Sequence, residues 1–483
     1  MVSQGRLVFA VLAAALGSSF QHGYNTGVAN APQELIERFI NESYVHQVGT
    51  PPSTVIVKTI FSIVVSIFSV GGMVGGLFTA VLANKLGRKG ALLVNNALVF
   101  LAAIMMGLAD LAGSYIMLIF GRFVIGVNSG LNAGLAPMYL NEISPVHLRG
   151  AIGTLYQLIL VISILISQIL GLKQILGTEA GWPILFALIC VPAVMMLATL
   201  PFCPETPKFI YMNKGNEERA REALEWLRGT HEIDKEMDLM KLEFQELQSV
   251  PKVEFSHFFR IKSLFRPFLI SNVVMFSQQL SGINVVFYYS TDIFLKAGLD
   301  REKATYVTLG TGVINVLMTV LSMGIIEKAG RKTLLLVGLG GLCLVTVMMT
   351  IFLYFSKYYQ WATYVTIFWI LVFIVFFAVG PGSIPWFLVT ELFDQSARPI
   401  ASSVAVAANW LANFAVGILF LPIQEGLHEY TFLIFTVLLF LFCLFIFLEV
   451  PETQGKTIPE IKEFFAHLDN SNQSPPPETE REK

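Results

Sequence analysis

The residues of this chain best suited to chemistry are Gln278, Gln279 and Asn284, followed by Tyr288 and Tyr289. They lie inside an apolar run from about Phe268 to Phe294, long enough to cross a bilayer at ~1.5 Å per residue. A side-chain amide without partners in hydrocarbon costs roughly 2–7 kcal/mol, so this cluster must face protein or a wet cavity. At ~100° per residue, Gln278, Gly282 and Tyr289 share one helical face, and Ser277, Ser281, Asn284 and Tyr288 share the face beside it. Gly282 sits at the join, and a helix that bends there can aim both faces at one cavity. An amide is donor and acceptor at once, as a hydroxyl is, so the cluster reads as a site for a polyhydroxylated solute. A single amide would read as interhelical glue; three amides and two phenols within twelve residues favour the site.

The elements that must position these groups are membrane spans. The chain has 483 residues, 54% hydrophobic and only 14% charged, where a soluble domain is ~25% charged. Apolar runs occur near 7–27, 57–83, 91–109, 114–137, 151–172, 182–201, 268–294, 304–326, 333–355, 362–389, 399–422 and 430–450, about twelve spans. The predicted class is an all-α membrane protein. Arg6, Lys85, Arg88, Lys89, Arg149, the Lys208 to Lys262 segment, Lys328, Arg331, Lys332, Arg398 and Lys456 fall on one side, which the positive-inside rule makes cytoplasmic, together with both termini. Lys+Arg at 32 against Asp+Glu at 34 leaves no basic bias, which excludes nucleic acid as a partner; the bilayer and a small molecule remain.

Leu7 to Ser19 resembles a signal peptide, but cleavage would leave an odd number of spans and put the charged central loop on the wrong side, so it reads as the first span. Cys190, Cys203, Cys343 and Cys443 form no CxxC pair and read as packing residues, with no metal or redox site and no cofactor. Asn41-Glu42-Ser43 is a glycosylation acceptor on the outer side; Asn472-Gln473-Ser474, in the cytoplasmic tail, reads as accidental.

The chain repeats itself. Asn84 to Lys89 recurs as Glu327 to Lys332, Glu142 with Arg149 recurs as Glu391 with Arg398, and Pro204-Glu205-Thr206 recurs as Pro451-Glu452-Thr453, each about 245 residues on. Two homologous six-span halves follow, with boundaries at 1–203 and 266–450, a cytoplasmic linker at 204–265 and a tail at 451–483 that is disordered toward its end. Arg88, Glu142, Arg149, Glu205, Glu327, Arg331, Glu391, Arg398 and Glu452 read as interhelical ion-pair networks that lock the inner side in one state and separate in the other. Asn216 to Arg228 reads as an amphipathic helix bracing the inner faces of the halves.

Gly23-Tyr24-Asn25-Thr26-Gly27, Gly87-Arg88-Lys89, Gly121-Arg122-Phe123, Pro204-Glu205-Thr206-Pro207, Gln278 to Asn284, Gly380 to Trp386 and Pro451-Glu452-Thr453 together resemble the facilitative hexose transporters, in the sugar porter branch of the major facilitator superfamily. The resemblance runs from about residue 5 to 465. It implies the major facilitator fold and a sugar site lined by Gln157, Gln278, Gln279, Asn284, Asn315, Gly382, Trp386 and Asn409, with Tyr288 and Tyr289 at an extracellular gate. Trp386 would offer an apolar face to a sugar ring and an indole N–H to one oxygen. His22 stands where glucose members carry an aromatic carbocycle and the fructose-selective member tyrosine. Asn84 to Leu93 is similar to the fructose branch; Gln279-Leu280-Ser281 and Trp386 are similar to the glucose branch, so glucose leads and fructose stays open.

The expected function is facilitative uniport of a hexose across the plasma membrane by alternating access. An enzyme would need a converging nucleophile, base or metal set, and the spans carry no HExxH, phosphate loop or acid pair. A non-transporting sensor would carry long signalling extensions, whereas a short tail follows residue 465. A proton symporter needs a titrating carboxylate near the midplane. Asp110 and Asp292 fall at outer ends and Glu142, Glu327, Glu391 and Glu452 at inner ends, while Asn25 stands where proton-coupled relatives have Asp; His22 is the one group that could restore coupling.

Overall fold

A computed structural model of the chain describes residues 2–145, 148–249, 253–326, 328–393, 396–456, 460, 461, 463 and 465. The helices in chain order are α1 (Val2–Gly27), α2 (Gln33–Val48), α3 (Thr54–Leu86), α4 (Arg88–Gly107), α5 (Tyr115–Ile143), α6 (Arg149–Leu170), α7 (Trp182–Ala187), α8 (Cys190–Thr199), α9 (Pro207–Lys214) and α10 (Glu217–Arg228). They continue with α11 (Asp234–Ser249), α12 (His257–Arg260), α13 (Lys262–Leu280), α14 (Ile283–Lys296), α15 (Arg301–Ile326), α16 (Arg331–Ser356), α17 (Gln360–Val379), α18 (Ile384–Glu391), α19 (Arg398–Leu427) and α20 (Thr431–Glu449). Every apolar run of the sequence is a helix or a pair of short helices in line. Among the described residues, 10 helical runs are long and apolar enough to cross a membrane; one of them, Arg398–Glu449, contains both α19 and α20. The broken pair α13 and α14 supplies a further crossing.

Within the first half α3 packs on α5, α4 on α5, and α1 on α6; in the second α16 packs on α17 and α20, and α13 on α19. Lipid gives helices no hydrophobic reason to associate, so close backbone approach between small residues does that work. A Cβ at Gly126 or Gly130 of α5 would collide with the Phe68 or Gly72 carbonyl of α3, which accounts for glycine on both helices of this contact. The halves meet along α3 against α19 and α6 against α15, with α1 touching α14.

Two elements depart from the sequence reading. The connection after α1 is helical, because Glu34 and the buried Leu35, Ile36, Phe39 and Ile40 recur at helical spacing, and α2 lies against α3 and α5. The linker does not brace both halves with one helix. Asn216 caps α10 by accepting from the Arg219 N–H at 2.9 Å, and α10 then packs on α1, with Arg228 Nη1 donating to the Ile143 carbonyl at 2.8 Å. The linker reaches the second half around α12, whose Phe258 ring lies 5.0 Å from Phe268 and 5.9 Å from Phe393. The polar segment beyond 465, including Asn472, lies outside the described residues.

Gly282 ends α13 at φ +95°, a left-handed conformation that costs an L side chain roughly 1–2 kcal/mol, and a Cβ there would lie 3.2 Å from the Phe435 ring. Gly282→Ala should therefore destabilise the fold by about that amount, read as a lower thermal midpoint in detergent. An unchanged midpoint would mean the break is not set by this residue.

Candidate functional site

Two helix breaks face each other in the second half. The seventh crossing is interrupted at Ser281-Gly282, and the tenth is interrupted between Val379 and Ile384 by Gly380-Pro381-Gly382-Ser383. A break frees carbonyls that no water reaches inside a bilayer, so side chains must supply donors. Gln278 does so, its Nε2 donating to the Pro381 and Gly382 carbonyls, each at 2.8 Å. Its Oε1 accepts from Asn409 Nδ2 at 2.7 Å and Gln279 Nε2 at 3.2 Å. Gln279 Nε2 also donates to Asn409 Oδ1 at 2.9 Å, and Asn284 Nδ2 donates to Gln279 Oε1. Five of the residues singled out from sequence, Gln278, Gln279, Asn284, Gly382 and Asn409, thus form one bonded cluster.

Among the described residues, the other three make no hydrogen bond to it. Gln157 is half-buried on α6 in the opposite half, Asn315 is buried on α15, and Trp386 on α18 is 37% exposed. Tyr288 and Tyr289 are fully buried on α14 and tie it to α19: Tyr288 donates to Asn413 Oδ1 at 2.9 Å and Tyr289 to the Gly417 carbonyl at 2.6 Å. The sequence reading did not single out Asn413. Its spacing from Asn409, one helical turn along the same face of α19, was the available signal.

Across the seam, His22 stacks on Trp410 with ring centroids 5.5 Å apart, and its Nδ1 lies 3.4 Å from the Tyr156 hydroxyl. Arg122, read from sequence only as part of a short motif, proves to be completely buried. It donates to the Val64 carbonyl at 3.1 Å and the Asn25 carbonyl at 2.9 Å, and lies 4.8 Å over the Phe68 ring. The Asn25 side chain donates to its own helix at Gln21, 2.8 Å away. Among the described residues no carboxylate pairs with this guanidinium.

At the end that carries α2 the halves are joined. Asn30 Nδ2 donates to the Phe287 carbonyl at 2.9 Å and Ser290 Oγ at 2.8 Å, and Asn30 Oδ1 accepts from the Thr291 N–H at 3.2 Å. Arg301 pairs with Glu34 at 2.7 Å, and Lys58 pairs with Glu425. The exposed Asn41 lies on α2 at this same end.

At the linker end the charged motifs have the same wiring twice. Glu205 accepts from the N–H groups of Arg88 at 3.1 Å, Lys89 at 3.0 Å and Gly90 at 3.3 Å, capping α4; Glu452 accepts from those of Arg331 at 2.6 Å and Lys332 at 3.1 Å, capping α16. A carboxylate satisfies free N–H groups and the positive helix end together. Arg88 pairs with Glu142 at 2.8 Å and Arg331 with Glu391 at 3.1 Å, while Thr206 and Thr453 donate to the second oxygens of those two glutamates. Arg398 donates to the Phe393 carbonyl at 3.0 Å. These pairs are interhelical, and in this conformation the described ones each lie within a half. The reason is local: each helix start offers its own glutamate several fixed donors. Glu327 and the side chain of Arg149 lie outside the described residues. Glu205→Ala and Glu452→Ala should each lower stability by ~0.5–2 kcal/mol, additively, because the caps are in different halves. Thermal unfolding of the singles and the double mutant checks this, and strong non-additivity would contradict independent halves.

The family profile described as "Sugar (and other) transporter" matches residues 10–465. Solute carrier family 2, facilitated glucose transporter member 3 of Ovis aries is 46% identical over 95% of this chain and 92% of its own length. Member 1 of Gallus gallus is 46% identical over 94% of this chain and 92% of its own. Among solved structures, the inward open conformation of the xylose transporter XylE from E. coli matches with a TM-score of 0.78 at 25% identity, covering 95% of this chain and 99% of that one. With the broken crossings, the duplicated wiring and the all-helical fold, these similarities show that the chain is a multispanning membrane protein of the sugar transporter family, with the major facilitator fold and no enzymatic role.

Proposed function

We propose that this chain carries a hexose, glucose first, down its gradient across the plasma membrane by alternating access between the halves 1–203 and 266–450. The amide cluster at the facing helix breaks carries this reading: its donors and acceptors alternate within hydrogen-bond reach, the pattern a ring of hydroxyls exchanges with. The relatives at 46% identity bear the printed name of facilitated glucose transporters, which favours glucose over fructose. In this reading Gln157, Gln278, Gln279, Asn284, Asn315, Gly382, Trp386 and Asn409 contact the sugar. Tyr288 and Tyr289 close the extracellular gate, and the termini and linker are cytoplasmic. Asn41 carries a glycan, and the Arg and Glu wiring keeps each half rigid while the halves rock.

Uptake of labelled glucose and fructose into proteoliposomes tests the reading; saturable flux of neither sugar would overturn it. Gln278→Ala should weaken glucose binding by ~0.5–1.5 kcal/mol or more, because one hydrogen bond to the sugar is lost. Unchanged binding by a folded variant would leave Gln278 as a structural donor to Pro381 and Gly382 alone. The flux should be uncoupled from protons, since Arg122 is held by backbone carbonyls and Asn25 cannot titrate. A pH electrode outside glucose-loaded and glucose-free vesicles checks this. Sugar-driven proton uptake abolished by His22→Phe would refute uniport.

A further inference from the structure

The α6–α15 seam, where the halves meet, contains a group that the amide cluster does not use. Gln168 of α6 is 1% exposed, and neither its Nε2 nor its Oε1 has a hydrogen-bond partner among the described residues. Nearby hydroxyls are satisfied by their own helices: on the α1 side of α6, Ser163 donates to the Leu160 carbonyl and Ser167 to the Ile164 carbonyl, each at 2.7 Å, and on α15 Thr311 donates to the Thr308 carbonyl at 2.6 Å. Gln168 cannot follow them, because its amide points across the seam. Its oxygen lies against Gly312 of α15, where any Cβ would strike it, with Leu165 beside it. Asn315, a proposed sugar contact, sits one turn further along α15. In the other direction the seam opens into a polar pocket of about 150 Å³ lined by Gly171, Leu172, Gln174, Thr305 and Tyr306, bridged by Gln174 Nε2 donating to the Tyr306 hydroxyl at 3.1 Å.

A buried amide with no partner is costly in the conformation seen and is relieved once the helices part. We propose that Gln168 is a further sugar-contacting residue, an outer subsite on the path between the pocket at Gln174–Tyr306 and the amide cluster, available only when α6 and α15 separate at the α2 end. The inference rests on the hexose-carrier reading. Both amide atoms of Gln168 then meet sugar hydroxyls, and their loss of partners on closure pushes the sugar onward toward Asn315. The same loss keeps the closed seam from becoming too stable to reopen.

The test is zero-trans glucose entry and exit by the full chain in oriented proteoliposomes, with Gln168→Leu and the closer isostere Gln168→Met. Half-saturation for entry should rise about five- to tenfold, the factor one hydrogen bond carries, while that for exit changes less than twofold. A passive carrier must keep equal ratios of maximal rate to half-saturation in the two directions, so exit should register the loss as a lower maximal rate. Both variants should melt no lower than the parent, because the group removed is unsatisfied in the closed form. Unchanged entry half-saturation, an equal rise in both directions, or a fall in stability with either variant overturns the subsite. Absence of flux in the unsubstituted chain would instead overturn the carrier reading.

Discussion

A backbone carbonyl released from its helix inside a bilayer must find a donor, and much of this site follows from that requirement. Breaking the tenth crossing at Gly380 to Ser383 frees the carbonyls of Pro381 and Gly382, and Gln278 is placed to receive both. With its nitrogen committed there, its oxygen is turned toward Asn409 and Gln279. Those two amides and Asn284 then adopt the orientations that complete the cluster. The break, the positive φ at Gly282 and the polar cluster are consequences of one constraint on main-chain hydrogen bonding.

Much of this was legible from residue types alone. Apolar runs located every crossing, and the density of amides around Gly282 located the interrupted helix and three of the eight residues of the proposed site. The sequence could not reveal which amides are structural. Gln21, Asn95, Asn96, Asn128 and Asn132 of the first half form a buried network of their own, with Asn95 donating to Asn132 at 2.9 Å and Gln21 to Asn96 at 3.2 Å. These are the residue types of the amide cluster at the helix breaks, here used to join α1, α4 and α5. Spread over three helices, no more than two of them fall in any one span, so density within one span misses them. The charged motifs were legible in a different way. Repetition showed that they matter, but only coordinates show that each glutamate serves the helix start in its own half.

The duplicated wiring and the unduplicated cluster divide the work between the halves. Glu205 with Glu142 and Glu452 with Glu391 hold the same positions in the two halves and tie together the linker-side helix ends of each in the same way. Helix breaks accompany the polar cluster of the second half, whereas α1 runs unbroken through Gly27. The interrupted crossings beside the cluster are α13–α14 and α17–α18. The first half meets the second through Asn30 against α14, and through His22 and the face of α3 against α19.

Arg122 sets a limit on how that movement can occur. Its guanidinium is a permanent charge within the bilayer, held by carbonyls of α1 and α3, so it travels wherever the first half travels. The transmembrane potential acts on such a charge with ~2.3 kcal/mol per 100 mV for passage through the whole field. A half that slid along the membrane normal would carry Arg122 through part of this field, and the flux of an uncharged solute would then vary with voltage. A half that rocks about an axis passing near Arg122 leaves the charge at constant depth. An uncompensated arginine at such an axis would leave the carrier indifferent to membrane potential, although it keeps a full positive charge among its helices.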